Sequence, residues 1–327
     1  MKQIFILSLL FSFLLATSEK WSLKNFNFTM ENDADFETDY SYTEGSRISL
    51  LFARENIQNN SFHIPFTEVK NKEHFISFAY ANQMYTPQDV DKVELIKDDR
   101  PYAGWSYIEV GLHQSSFNEL DSLTTQFGII GPAAKMQELQ DAFHDWIDVR
   151  HAKGWDNQLQ NEISLQLNYM HKWRHKYKKV LGLDHDLIPY SGIYLGNVSI
   201  KASTGALYRI GFNIPDDFGI NSMNEGSFPS VSVYNTPAFT NSWSLYFNFI
   251  AGANLIVKDI FTDGNTFRDS HSVQRDFYTA YFGAGLSMRY ANFTLNYMHQ
   301  YYTKDYKLRG NYEKYLGYGL LLLEYKF

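Results

Sequence analysis

The chain has 327 residues, a formal net charge of −7 at pH 7 and no cysteine, and 17% of its residues are aromatic. The lack of cysteine excludes a disulfide-stabilised scaffold and thiolate metal sites. The acidic balance of 29 Lys and Arg against 36 Asp and Glu argues against a nucleic-acid partner. The many Tyr and Phe residues favour strands over disorder. The composition therefore indicates a folded, strand-rich protein.

The amino terminus has the pattern of a secretory signal peptide. Lys2 is followed by the apolar run 4–16 and then by the small residues Thr17 and Ser18. Cleavage is expected after Ser18, so that residues 1–18 are the signal peptide and 19–327 form one barrel domain. A retained anchor is the alternative, but this run is shorter than the ~20 residues of a transmembrane helix. No later run reaches that length, so a membrane-spanning form would have to be a β-barrel.

Apolar and polar residues alternate with a period of two through much of the chain. Residues 243–255 carry Trp, Leu, Phe, Phe, Ala, Ala and Leu on their odd positions, and 278–290 repeat such a pattern on even positions. Alternation indicates strands with one apolar and one polar face. The segments have the length of tilted transmembrane strands, and the chain ends on an aromatic strand closed by Phe327, as outer-membrane barrels do. These features favour a transmembrane barrel over a soluble sandwich.

Twelve antiparallel strands are predicted, which gives an all-β transmembrane barrel with both termini in the periplasm. Their ranges are 24–33, 42–53, 73–85, 103–115, 121–131, 161–174, 186–198, 200–213, 242–257, 276–290, 292–303 and 313–327. The connections 54–72 and 214–241 are long for periplasmic turns. Either extra short strands lie there or the strand count is wrong.

Residues 133–148 have the periodicity of one amphipathic helix in the outer connection between the fifth and sixth strands. Its apolar stripe consists of Met136, Leu139, Phe143, Trp146 and Ile147. Gln140 and His144, four residues apart, lie at one edge of this stripe. A helix that only caps or plugs the barrel, with His144 at a packing border, is the alternative to a catalytic histidine.

With a periplasmic amino terminus, the polar motifs all fall at the outer rim of the barrel. Asn32 and Asp33 end the first strand, Thr43 begins the second, and the helix follows the fifth. By alternation Asp33 and Thr43 face the lumen. Asn32 has the opposite parity, so either a bulge re-aims it or it has left the ladder. Turn chemistry is the better explanation of each motif alone, but their convergence beside His144 makes a functional site an equal alternative.

Five motifs, in order between residues 26 and 170, resemble those of the lipid A 3′-O-deacylase (LpxR) family of outer-membrane barrels. The first is Asn32-Asp33 with Thr38-Asp39 and Tyr42-Thr43-x-Gly45-x-Arg47. The others are Asp99-Arg100-Pro101-Tyr102-Ala103-Gly104-Trp105, Gly131-Pro132-Ala133, Gln137-Glu138-x-Gln140-x3-His144 and Lys153-Gly154-Trp155-Asp156-Asn157-Gln158-Leu159. The combination is specific, whereas the later strands match only in number and alternation.

The resemblance implies a twelve-stranded barrel that hydrolyses an ester-linked acyl chain of lipid A with the help of a divalent cation, usually Ca²⁺. It implies functional positions at Asn32, Asp33, Thr43, Gln140 and His144. Ala34 stands where some members carry a second acid, which leaves open a weaker cation site or an inactive relative.

Ester hydrolysis needs an activated water and a group that stabilises the developing oxyanion. We expect His144 to act as the base, while the cation, held by Asn32 and Asp33, polarises the carbonyl. Thr43 would orient the water or bind the oxyanion, and Gln140 would position His144 or the substrate. Candidate contacts for the phosphates of lipid A are Lys92, Lys97, Arg100, Arg150 and Lys153.

Three other functions remain open. A serine-dependent outer-membrane phospholipase would need a Ser in a matching context near His144, and none stands there. A porin-like barrel or an inactive relative would tolerate replacement of His144. We expect a monomer in the bacterial outer membrane, with lipopolysaccharide as substrate and the site facing the outer leaflet.

Overall fold

The computed structural model describes residues 21–33, 40–54, 64–65, 67, 72–220, 222–223, 243–307 and 315–327. Its strands are β1 (Trp21–Asn32), β2 (Ser41–Arg54), β3 (Glu73–Thr86), β4 (Ala103–Ser115), β5 (Glu119–Ile130), β6 (Glu162–Trp173), β7 (His175–Lys176), β8 (Asp184–Gly196), β9 (Ser199–Phe212), β10 (Trp243–Asp259), β11 (Tyr278–Tyr290), β12 (Phe293–Thr303) and β13 (Tyr315–Lys326). The signal-peptide prediction and Ala34 lie outside the described residues.

The strands form one closed antiparallel barrel in which each strand pairs with its neighbours in sequence. The circle closes through β1 with β13 and through β6 with β8. β7 is a two-residue continuation of β6 that pairs with the start of β8. If β6 and β7 are counted as one strand, the barrel has twelve strands. The predicted all-β, twelve-stranded antiparallel barrel is confirmed.

The start of β1 and the end of β13 meet at one end of the barrel, called here the terminal end. The amide of Phe327 donates to the carbonyl of Lys24 at 2.8 Å. The opposite end, called the loop end, carries the connections β1–β2, β3–β4 and β5–β6. The β5–β6 connection contains helix α1 (Met136–Ile147), and the β10–β11 connection begins with the single-turn helix α2 (Ile260–Asp263). Among the described residues, no helix has the length and apolar character of a membrane span.

One face of the wall is apolar and exposed, as the alternation predicts. Ile163 and Leu165 on β6 are 63% and 58% exposed, while Ser164 and Gln166, at the alternate positions, are buried in the lumen. At the terminal end aromatic pairs such as Trp243 with Tyr290, ring centroids 4.6 Å apart, form a girdle of the kind found at bilayer interfaces.

The lumen is filled by charged and polar side chains. Arg47 on β2 pairs with Glu109 on β4 at 2.7 Å, and Gln126 on β5 donates to the same carboxylate. Near the terminal end Arg209 pairs with Asp186 and Asp217. Buried ions of this kind are tolerable because each has an opposite charge and hydrogen bonds.

Part of the long β9–β10 connection enters this lumen. Residues 213–220 and 222–223, called here the lumen segment, include the buried side chains Phe218 and Met223. The amine of Lys172 donates to the carbonyl of Phe218, and the amide of Met223 donates to Glu31 at the far end of β1. The described part of this connection, which is long for a periplasmic turn, therefore occupies the interior of the barrel.

Candidate functional site

Helix α1 packs on the outside of the barrel wall at the loop end. The hydroxyl of Ser106 on β4 donates to the carbonyl of Ala134, just before the helix. Gly104 lies under Met136 so closely that a Cβ there would stand 2.5 Å from Cγ of Met136. Only glycine leaves room for the helix at this point of the wall. The apolar stripe predicted from the sequence therefore faces the outer surface of the barrel at its start.

His144 lies on the inner side of α1 and is buried. Its Nδ1 lies 2.7 Å from the carbonyl oxygen of Arg150, in the segment that follows the helix. Because a carbonyl oxygen only accepts hydrogen bonds, Nδ1 carries the proton and donates it. In the neutral ring the lone pair is then on Nε2, which is the arrangement that a general base requires.

Gln140 lies one turn before His144 and is held by a tryptophan. The indole Nε1 of Trp155 donates to Oε1 of Gln140 at 2.8 Å, and both side chains are buried. Trp155 packs on Tyr102, with ring centroids 4.9 Å apart. Gly154 makes this packing possible, because a Cβ there would stand 2.6 Å from the Tyr102 ring. The Gly154-Trp155 motif thus fixes the side chain of Gln140.

Thr43 is displaced from the regular strand pattern by a bulge. The register between β2 and β3 shifts between Tyr42 and Glu44, so Thr43 is the extra residue. Tyr42 turns to the lumen, where its hydroxyl donates to Glu31 at 2.6 Å. The hydroxyl of Thr43 lies 2.7 Å from that of Thr86, the last residue of β3.

Asn32 keeps its place in the ladder, opposite Glu44 of β2. The bulge that the sequence left open at Asn32 is therefore at Thr43 instead. Asp33 follows directly, and its carboxylate accepts from the amide of Tyr40 at 3.0 Å while its own amide donates to the carbonyl of Thr43.

One cavity of about 280 Å³ brings all five predicted residues together between α1 and the ends of β1 and β2. Its lining residues are Asn32, Asp33, Thr43, Glu44, Val90, Asp91, Gln140, Phe143, His144, Ile147, Val149, Arg150 and His151. On β1, Asn32 lies on the same face as the exposed residue Phe26, and on β2, Glu44 lies on the same face as the exposed residue Ile48. The cavity therefore opens on the outer wall of the barrel rather than in its lumen.

The rim of this cavity is apolar on the helix side. Ile147 is 44% exposed, and its neighbour Trp146 is 80% exposed. The second half of the predicted apolar stripe thus has no protein surface over it among the described residues. Such a patch beside a polar cavity is typical of a surface that meets lipid.

The oxygen donors in the cavity suit a hard cation. Asn32, Asp33 and Glu44 offer amide and carboxylate oxygens from adjacent strand ends, which is the ligand chemistry that Ca²⁺ prefers. Within the described ranges no group of three or more His, Asp or Glu residues is close enough to form a metal cluster. A cation here would need backbone, water or substrate oxygens to complete its shell.

Arg100, proposed above as a phosphate contact, is instead the centre of a buried network at the barrel mouth. Its guanidinium donates to Ser41 at 2.7 Å and to the carbonyl of Phe261 on α2, and it pairs with Asp305 at 3.3 Å. Asp99 accepts from the hydroxyl of Tyr306. Burial, opposed by the charge of Arg100, raises the pKa of Tyr306 well above its ordinary value, which keeps this donor protonated.

Of that set, Arg150 lines the cavity, and Lys153 lies beside it, paired with the lining residue Asp91. Both pair with Asp91, at 2.9 and 3.2 Å. Their side chains are largely exposed, so they can meet an anionic substrate.

Sequence reasoning assigned no role to Glu44, which lines the cavity, or to Trp155, which holds Gln140. The sequence could have identified Glu44 as a site residue. A carboxylate on the lipid-facing side of a strand is costly, so its presence there indicates a function. Trp155 stood in a recognised motif, but its link to Gln140 depends on how the connection folds.

The model of the family described as outer membrane protein LpxR matches residues 4–327 of this chain. The chain belongs to the LpxR family. Its fold is similar to that of LpxR from Salmonella typhimurium, with a TM-score of 0.73 at 15% identity over 93% of this chain and 100% of that one. A comparison with curated protein sequences finds no match.

More distant similarity is found to two autotransporter barrels. The β domain of Bordetella BrkA has a TM-score of 0.40 at 7% identity, covering 95% of this chain and 99% of that one. The translocator domain of NalP from Neisseria meningitidis has a TM-score of 0.39 at 10% identity, covering 100% and 95%. Family membership and the barrel together support an outer-membrane protein and a lipid A deacylase.

Proposed function

We propose that this protein is an outer-membrane lipid A 3′-O-deacylase in which His144 is the base that activates the hydrolytic water. The observation that carries the proposal is the cavity on the outer wall. It joins a histidine with Nε2 as its basic nitrogen to oxygen donors at the ends of β1 and β2. Its apolar rim meets the same surface that the barrel presents to lipid.

In the proposed reaction, Nε2 of His144 takes a proton from water as the hydroxide attacks the ester carbonyl. When the tetrahedral intermediate collapses, the imidazolium returns that proton to the leaving sugar oxygen, and the fatty acid departs. Thr43 orients the attacking water, and Gln140, one turn before His144 on α1, positions this base. Phe143 and Ile147 contact the acyl chain, and Arg150 and Lys153 contact an anionic group of the lipid.

Asn32 and Asp33, with Glu44 beside them, would hold a divalent cation, for which we propose Ca²⁺. Bound there, it would polarise the ester carbonyl and balance the negative charge that develops on oxygen. Activity that survives thorough chelation by EGTA would exclude this part of the proposal while leaving the role of His144 intact.

The decisive experiment compares His144→Ala with His151→Ala. Both histidines line the cavity, but His151 binds Asp145 on the exposed side of α1 at 2.8 Å. Mass spectrometry of lipid A from cells that express each folded variant should show one acyl chain missing with His151→Ala and the wild type. It should show an intact lipid with His144→Ala. Deacylation by His144→Ala at the wild-type rate would refute the base assignment, and no deacylation by the wild type would favour an inactive relative.

We propose that the loop end faces outward, so that the cavity meets the outer leaflet. The chain lacks cysteine, so single cysteines report on topology without background. Phe267→Cys lies in the β10–β11 connection and Leu181→Cys in the β7–β8 turn, and both positions are highly exposed. A membrane-impermeant maleimide applied to intact cells should label Phe267→Cys and spare Leu181→Cys, and the opposite result would reverse the orientation.

The porin-like alternative is disfavoured by the lumen segment. It crosses the barrel interior from the terminal end to Glu31, among buried charged side chains. A lumen filled in this way is unsuited to a diffusion channel.

A further inference from the structure

A second polar cluster lies on the lipid-facing wall, far from His144 and near the terminal end. Its centre is Asp121 on β5, whose carboxylate accepts from Lys72 at 2.6 Å, from Tyr169 at 2.8 Å and from Nδ1 of His171 at 2.6 Å. Asp121 and Lys72 are almost completely buried. Charged groups on this face of a membrane barrel are expensive, so a cluster of this size needs an explanation.

The position of the cluster follows from the strand register. Asp121, His171 and Ser191 stand directly opposite one another on β5, β6 and β8. On β6, His171 shares its parity with the exposed Ile163 and Leu165, which places the row on the outer wall. The ring of His171 lies 4.3 Å from that of Trp173, a residue type typical of the level of lipid head groups.

A groove of about 770 Å³ opens beside this row. Its lining includes Glu119, Tyr169, Trp173 and Ser191. Residues of the wall that faces the bilayer, among them Tyr169 and Ile193, line the groove, so lipids have access to it.

The ring of His171 lines this groove and has a nitrogen that is unsatisfied in the described part of the chain. Because the Asp121 carboxylate accepts from Nδ1, the neutral ring carries its lone pair on Nε2. Among the described residues no hydrogen-bond partner reaches this buried atom. Lys72 also pairs with Asp121, so the carboxylate is shared between an ammonium and the ring, and in the neutral form of the ring Nε2 is a hydrogen-bond acceptor.

Glu119 adds a negative charge at the edge of the groove. Its carboxylate is 43% exposed and lies 3.5 Å from the amine of Lys72. That amine lies closer to the carboxylate of Asp121, at 2.6 Å. Two carboxylates against one ammonium leave the groove with a net negative charge. Together with the lone pair of His171 and the face of Trp173, this favours a cation that can donate hydrogen bonds.

The row Asp121–His171–Ser191 also has the residue types of a serine hydrolase. In the structure, however, the hydroxyl of Ser191 lies 3.4 Å from that of Thr204 on β9, and His171 and Ser191 are not hydrogen-bonded. A nucleophile needs its hydroxyl within reach of the base. The geometry therefore favours binding over catalysis.

We propose that this groove is a binding site for a phospholipid with a primary ammonium head group. The ammonium would donate to Nε2 of His171 and to the carboxylate of Glu119 and would lie against Trp173. A quaternary ammonium has the same charge but no N–H donor, and a glycerol head group has no positive charge. The site therefore discriminates between head groups rather than between acyl chains.

The test is native mass spectrometry of the full barrel in detergent, titrated with phosphatidylethanolamine, phosphatidylcholine and phosphatidylglycerol of identical acyl chains. We expect phosphatidylethanolamine to bind about tenfold more tightly than either of the others, as the loss of a charge-assisted hydrogen bond implies. Equal binding of the three lipids, a preference for phosphatidylglycerol, or no bound lipid would each overturn the proposal.

Variants test whether the preference for phosphatidylethanolamine arises from the groove. Glu119→Gln removes a rim charge, and His171→Asn keeps an amide donor for Asp121 while removing the acceptor at Nε2. Each should abolish the preference for phosphatidylethanolamine, whereas Asp184→Asn, at the same end but outside the groove, should retain it. Heat-dependent migration on gels verifies that each barrel is folded. A preference retained by folded Glu119→Gln, or labelling of Ser191 by a fluorophosphonate, would contradict the proposed binding role.

Discussion

Trp155→Phe tests whether Gln140 acts through its fixed position beside His144. The substitution keeps an aromatic ring against Tyr102 but removes the indole N–H that donates to Oε1 of Gln140 at 2.8 Å. Because both side chains are buried, the amide oxygen loses a donor that water cannot easily replace. A buried acceptor left without its donor costs about 1–3 kcal/mol. If that loss appears fully in the transition state, kcat falls by roughly 5- to 150-fold.

The assay measures initial rates of fatty-acid release from lipid A in mixed micelles over a range of substrate concentrations. We expect the loss in kcat, with KM little changed, since Gln140 is proposed to position the base rather than to bind the acyl chain. Trp146→Phe is the matched control, because Trp146 is on the same connection but 80% exposed. It should retain the wild-type kcat.

A double-mutant cycle makes the test specific. If Trp155 acts through Gln140, then Trp155→Phe should have little further effect in a Gln140→Leu background. Full activity of folded Trp155→Phe, or fully additive effects of the two substitutions, would refute the reasoning.

Three further predictions concern other parts of the molecule. Trp146→Ser should raise KM for lipid A in vesicles several-fold, with kcat unchanged, because it removes an exposed apolar anchor; an unchanged KM would contradict a lipid-contacting role. Glu31→Gln should lower both kcat and the thermal midpoint of unfolding, since Glu31 accepts from Tyr42 beside the bulge and from Met223; wild-type values for both would exclude it as a positioning residue. Arg100→Leu should lower the unfolding free energy by about 3–5 kcal/mol in urea titrations, because it removes the ion-pair partner of Asp305 and the donor to Ser41 and to the carbonyl of Phe261; a loss below about 1 kcal/mol would contradict the network.

The strands were predictable because the bilayer imposes a strict alternation on one face. Observed and predicted ends differ by at most three residues, at the start of β1, where 24 was predicted and Trp21 is observed. The helix was equally readable, with residues 133–148 predicted and Met136–Ile147 observed. Local periodicity decides such elements, so a single sequence is sufficient for them.

Alternation failed where the site begins. It assigned Asp33 and Thr43 to the lumen, but both line the cavity on the outer wall. One extra residue in β2 re-aims the chain and turns Tyr42 inward instead. A bulge of this kind depends on contacts across strands, here with Glu31 and Thr86, which are distant in sequence. The lumen segment and the network around Arg100 were unpredictable for the same reason, because their partners come from connections far apart in the chain.

The outer-wall position of the cavity gives a physical reason why a barrel suits a lipid substrate. Moving an acyl chain from the bilayer into a polar lumen would expose its methylenes, at about 0.8 kcal/mol for each CH₂ group. Ten exposed methylenes would therefore cost roughly 8 kcal/mol, comparable to a micromolar binding free energy. With Asn32 and Glu44 on the lipid-facing side and Ile147 beside them, the ester can reach His144 while its chain stays among apolar surfaces. Asn32 and Glu44, the polar side chains that interrupt the apolar face of the alternation pattern, thus allow ester hydrolysis at the edge of the bilayer.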